Sequence, residues 1–283
     1  MKKFAAILTL ALTTLAANAH PGVGIVEDRQ GNVYYTDLKQ VWKITPSGRK
    51  TIVVPAVHTH ELFLDENDFL YGEHLWYNGG QRNTWGHYVW RLSPAGKVDK
   101  VIPDTEGVLE NYSFVRDHLG NMYWADRSKD CQTVVRRGSD NTTKSISNQC
   151  FENIRKVETL PDGSVYLVDF QDLKKIDVNG KVSTIAAKIA NKRWTKSTVE
   201  NQNSVMGIWS DNKGNLYAAV LSERLVKRFG PDGKEEVAYK TAWPWAPSGG
   251  MVDSKGNLWL LETSKTNDVR VERVGPDGRS VTF

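Results

Sequence analysis

The chain is poor in cysteine, has no second long apolar run and carries little net charge, and each shortage narrows what it can be. Cys131 and Cys150 are the only cysteines among 283 residues, and neither belongs to a Cys-x-x-Cys pair, which argues against a redox centre or a thiolate metal site. After residue 19 no stretch is apolar enough to span a bilayer, so a membrane-spanning protein is not expected. The formal charge is only +4, from 37 basic and 33 acidic residues, and the basic ones are spread along the chain without a nucleic-acid footprint. Also missing are a Gly-x-Ser-x-Gly elbow, a His-Glu-x-x-His pair and a phosphate-cradling glycine loop, so serine hydrolases, zincins and nucleotide enzymes drop out.

The first apolar run is short. Lys2 and Lys3 precede Phe4 to Leu15, and Ala17-Asn18-Ala19 then offers a small-x-small cleavage site. This pattern predicts a cleaved secretory signal over 1–19 and a mature domain over 20–283, periplasmic or secreted. In an oxidising compartment Cys131 and Cys150 are expected to form a disulfide. Closing a loop of about 20 residues contributes on the order of 3 kcal/mol in the chain-entropy view.

What the chain has in abundance is repetition. An apolar run, a turn centred on Gly-Asn and an aromatic-rich run recur from Gly24, Phe114, Val157, Gly207 and Met251, with a degenerate copy from Leu62. The copies lie roughly 36 to 53 residues apart, the spacing of propeller blades. A second hairpin follows each copy, often with a Pro-x-Gly turn, as in Pro231-Asp232-Gly233. Four antiparallel strands in each of six units predict an all-β, six-bladed β-propeller. The first unit starts at its first strand and the last ends at its fourth, so the ring is expected to close by packing, without an exchanged strand.

Gly207 to Tyr217, together with Pro247 to Asp253, looks like the repeat of NHL-type propellers. These belong to a six-bladed group that also holds gluconolactonase-like and luciferin-regenerating-like hydrolases. The resemblance implies a central divalent ion held by a Glu and by Asn and Asp residues of later blades. The group's Arg-x-Asn-Asp-Gly and Pro-Asn-Gly-Leu stretches are absent here, and Asn153 and Asn203 are the nearest substitutes. The metal set expected on this resemblance is Glu61, Asn153, Asp169 and Asn203, for Ca, Mg, Mn or Zn, with His60 or His74 as acid or base.

The ends of the second strands read Asp37, Glu73, Asp126, Asp169, Val220 and Glu262 when the repeats are aligned on the turn. Such acids either hold a hard cation or simply accept hydrogen bonds from the following turn. Three long connections add aromatic and cationic side chains to the same face: Trp76 and Trp85, Trp194, and Trp243 and Trp245, with Arg127 at the end of a second strand. These suit a ligand that is partly apolar and partly anionic, unless the tryptophans only pack loops onto the ring. Two functions stay open: an exported propeller that binds a small molecule or partner protein, and a metal-dependent hydrolase of a lactone or ester.

Overall fold

The repeat owes its spacing to a hydrogen-bonded lock. In Asp253-Ser254-Lys255-Gly256-Asn257-Leu258-Trp259 the Asp253 Oδ1 accepts the N–H groups of Lys255 (2.9 Å) and Asn257 (2.8 Å). Its Oδ2 accepts Asn257 Nδ2 (2.7 Å) and Trp259 Nε1 (2.8 Å). Asp28, Asp117 and Asp211 bind the corresponding amide and aromatic partners. The acid thus fixes the turn and pins the aromatic ring of the outgoing strand. Gly256 takes φ +81°, a left-handed conformation open to glycine at no steric cost.

A computed structural model describes residues 21–79, 83–128, 131–190 and 204–283. It is a six-bladed β-propeller. Each blade is an antiparallel sheet whose strands follow chain order: 25–54, 62–106, 122–145, 154–186, 205–240 and 246–282. Five sheets have four strands. Blade 3 has three, and the place of its first strand is marked by a single bridge between Arg116 and Met122. No described sheet mixes strands from the two ends of the chain, so the ring closes by packing as expected. Ser248 Oγ donates to Gly22 O (2.8 Å) across that closure, and Ser254 N donates to Glu27 Oε2 (2.7 Å).

Apolar clusters weld the blades in pairs. Trp90, Leu70 and Val41 join blades 1 and 2; Phe151, Ile154 and Tyr123 join 3 and 4; Ile208, Val168 and Leu216 join 4 and 5. Trp209 and Leu260 join blades 5 and 6, and Tyr35, Ile44 and Trp259 join 6 and 1. Among the described residues the seam between blades 2 and 3 has no such cluster. Its lower part is bridged instead by Arg116, whose guanidinium lies 4.9 Å from the Phe63 ring centroid and 5.1 Å from that of Tyr112. The loss of the first strand of blade 3 leaves the rest of this seam open. Cys131 and Cys150 form the expected disulfide in blade 3, and among the described residues no helix is long and apolar enough to cross a membrane. The secretory segment 1–19 lies outside the described residues.

Candidate functional site

The open seam holds a cavity of about 850 Å³, within the range that takes small ligands. One wall is His60, Glu61 and Glu73 of blade 2, and another is Tyr112, Phe114, Tyr123 and Trp124. Its inner wall combines Arg127 with Arg155 and Lys156 from the first strand of blade 4, Ile154–Thr159. Glu61 and Lys156 also border the axial channel, where Glu158 lies deeper.

Strand register explains why these groups meet here. Lys156 pairs opposite Val168, as Gly207 pairs opposite Ala219 and Gly249 opposite Leu261 in blades 5 and 6. Glycine is required at those places: a Cβ on Gly207 would lie 2.7 Å from Ser248 O of the next blade. Glu61, which precedes Leu62 paired opposite Gly72, takes the same position in blade 2. Blades 1, 5 and 6 therefore close a glycine against backbone at this place, Gly24, Gly207 and Gly249, while blades 2 and 4 project the charged Glu61 and Lys156. A β-bulge between Ile154 and Lys156 sends Arg155 and Lys156 to one cavity, where strict alternation would put them on opposite faces.

Burial dominates the electrostatics. It lowers the affinity of Lys156 for its proton, Arg127 and Arg155 lower it further, and Glu61 opposes them. Both guanidinium groups are likewise pulled down by burial. Burial pushes Glu158 up to about 8; the hydrogen bond from Ser210 Oγ (3.3 Å) pulls the other way and Glu61 adds to the rise. Arg127 donates to Ile154 O (2.7 Å), and Glu61 acts through space on both Arg127 and Lys156. Glu73 is committed elsewhere, since its Oε1 accepts the His60 N–H (2.6 Å) and lies 3.2 Å from His60 Nδ1.

Of the expected site residues, His60, Glu61 and Arg127 thus share the cavity. His74 does not line it: its ring stacks on Tyr88 (4.8 Å) and Trp76 (5.7 Å), and Nδ1 accepts the His58 N–H (2.8 Å). Asp169 lines a separate, smaller cavity, where it accepts the Asn153 N–H (2.8 Å) and pairs with Lys174 (2.7 Å). Trp194 and Asn203 lie outside the described residues. Among those described, no three His, Cys, Asp or Glu side chains converge to hold a metal ion; of the expected metal set Glu61 and Asp169 line different cavities, and Asn153 lines neither. Trp85 and Trp243 are exposed, while Trp245 packs under Arg270 at 4.6 Å.

The ring of acids needs one correction. Glu73 follows the aromatic of its lock, Tyr71, by two residues, whereas Asp126 and Glu262 follow theirs by three, so strand alternation turns Glu73 to the opposite face. Asp37 and Asp126 accept N–H groups of the following turn, while Asp169 and Glu262 bind cations of the third strand, Lys174 and Arg270. Sequence reasoning missed Arg155, Lys156, Glu158 and Tyr112. The available signal was the replacement of a repeat glycine by Lys156.

No family model matches the chain, and no curated protein matches its sequence. Solved structures do match in fold. Regucalcin, a calcium-binding protein from Agrobacterium tumefaciens, is 14% identical, with 87% of this chain and 82% of that one covered and a TM-score of 0.56. A gluconolactonase from Xanthomonas campestris is 13% identical, with 88% and 86% covered and a TM-score of 0.56. A streptogramin B lyase is 14% identical, with 95% and 84% covered and a TM-score of 0.55. The chain has the propeller fold of the gluconolactonase-like and streptogramin-lyase-like proteins, and at these identities the likeness is one of fold.

Proposed function

We propose that the protein is an exported binding propeller that takes up a small molecule in the cavity between blades 2 and 3. The observation that carries this reading is that this seam, where the other five are closed by apolar clusters, opens into a ligand-sized space lined by aromatic and charged side chains. Tyr112, Phe114 and Trp124 supply apolar area for a ligand, and Arg127, Glu61 and His60 supply polar contacts that orient it. Export is supported by the disulfide and by the secretory pattern of residues 1–19.

A thermal-shift screen of small metabolites against the chain from residue 20, followed by titration of each hit, tests the proposal. Tyr112→Ala is expected to weaken a true ligand at least tenfold and Trp243→Ala to leave it unchanged. The reverse pattern would move the site to the exposed loops. Metal-assisted hydrolysis, the other function open from the sequence, has Glu61 in this cavity and Asp169 in another. Elemental analysis of protein purified without chelator tests it: about one equivalent of divalent metal, lost in Glu61→Gln, would favour the hydrolase.

A further inference from the structure

The inner wall of the cavity has a charge arrangement that packing alone does not require. Arg127, Arg155 and Lys156 converge on it from two blades. The bulge in the first strand of blade 4 places two of them side by side. Arg155 and Lys156 are half-buried and Arg127 is exposed at their edge, and like charges held this close in a partly enclosed space raise the free energy of the empty protein unless a counter-charge is supplied. The protein's own carboxylates supply little. Among the described residues Glu61 acts on Arg127 and Lys156 through space without an ion pair, and Glu73, which acts on Lys156 in the same way, gives its Oε1 to His60 while its Oε2 is buried without a partner. Glu110, at the outer lip, is exposed. Asp126 has Ser128 N on its Oδ1 (2.9 Å). A second observation points the same way: Arg155 Nε is buried and, among the described residues, has no hydrogen-bond partner. A buried donor left in this state is a vacant half of a hydrogen bond.

We infer that Arg127, Arg155 and Lys156 form an anion subsite that holds a carboxylate or phosphate group of the ligand, while the Tyr112, Phe114 and Trp124 wall takes its apolar part. The inference rests on the binding reading above and names the class of ligand. Two guanidinium groups can each offer paired N–H donors to a planar or tetrahedral oxyanion, and the lysine adds a point charge. Glu158 beneath them holds its proton up to about 8, so at neutral pH it puts no negative charge next to the ligand. An anion also relieves the cation crowding, so its binding should raise the proton affinity of Lys156.

The test is titration calorimetry of the chain from residue 20 with phenyl phosphate, benzoate and benzyl alcohol. These probes share a ring and differ in charge. Wild type is compared with Arg155→Gln, Lys156→Met and, as a control far from the cavity, Arg279→Gln, whose side chain is 89% exposed. Circular dichroism and melting confirm that each variant is folded. The inference expects both anions to bind at least tenfold more tightly than benzyl alcohol. It also expects Arg155→Gln and Lys156→Met each to lose tenfold or more, with Arg279→Gln unchanged. Preference for phosphate over benzoate, or the converse, identifies which anion the subsite takes. Benzyl alcohol binding as tightly as the anions, with its affinity lost in Tyr112→Ala, would overturn the anion subsite and leave the binding cavity standing. Binding of the anions that no cavity variant weakens would overturn both. If Lys156→Met fails to fold, Arg155→Gln and Lys156→Arg decide: the first loses affinity and the second retains it.

Discussion

Replacing Glu158 by Gln should flatten the pH dependence of stability. Glu158 sits in the axial channel, surrounded by protein, and burial pushes it from its ordinary value near 4.5 up to about 8. In the unfolded chain it releases its proton near 4.5. Between these values folding takes up a proton, so this contribution to stability is fully present below about 4.5 and is lost as the pH rises through about 8. At about 1.4 kcal/mol for each tenfold change in proton affinity, the whole gap is worth at most about 5 kcal/mol. The carboxyl keeps contact with channel space and accepts a hydrogen bond from Ser210, so about 1–2 kcal/mol is the expected effect. Gln keeps the acceptor oxygen and never ionises. Urea denaturation at about pH 5 and about pH 8 should therefore show equal stability for wild type and Glu158→Gln at the lower pH. At the higher pH the variant should be more stable by about 1–2 kcal/mol. Parallel pH profiles, or a variant less stable than wild type at the higher pH, would refute the placement of a protonated carboxyl in the channel.

Other perturbations address the scaffold. Cys131→Ala with Cys150→Ala removes a cross-link spanning 19 residues and should cost about 3 kcal/mol, seen as a lower Tm that dithiothreitol no longer changes. Asp253→Ala deletes the acceptor of four hydrogen bonds in the blade 6 lock and should destabilise by about 2–4 kcal/mol, measured by urea unfolding. Trp90→Phe shrinks a fully buried ring and removes the Nε1 donor accepted by Glu73 O and Thr59 Oγ1 at 3.0 and 3.2 Å, while the Thr59 hydroxyl still donates to Glu73 O; a loss of about 1–3 kcal/mol is expected in the same assay.

The blades were legible because their determinants are local. The Asp, Gly, Asn and aromatic of the lock lie within seven residues, and the acid bonds to the turn that follows it, so spacing alone locates each first hairpin. Blade 3 shows where this fails. Its copy of the motif forms the lock through Asp117 and Tyr123, yet only one bridge pairs ahead of the turn, and Arg116 reaches across the seam to Phe63 with Tyr112 on its own side. The site was legible only in part, because it depends on register and on contacts between blades. His60, Glu61 and Arg127 were found by reading the mouth of the ring. Arg155 and Lys156 needed the bulge that turns both towards one cavity, and Tyr112 needed the missing strand. The tryptophans drew attention as large aromatic side chains in long connections, but Trp85 and Trp243 lie exposed and Trp76 packs on His74.

Ligands should enter the seam between blades 2 and 3. A crystal structure of the chain from residue 20, soaked with the tightest probe of the calorimetric series, tests it most directly. The probe should lie in the 850 Å³ cavity, its anionic group within hydrogen-bond reach of Arg127, Arg155 or Lys156 and its ring against Tyr112 or Trp124. A probe seated instead beside Asp169 and Lys174, or on exposed Trp243, would contradict it.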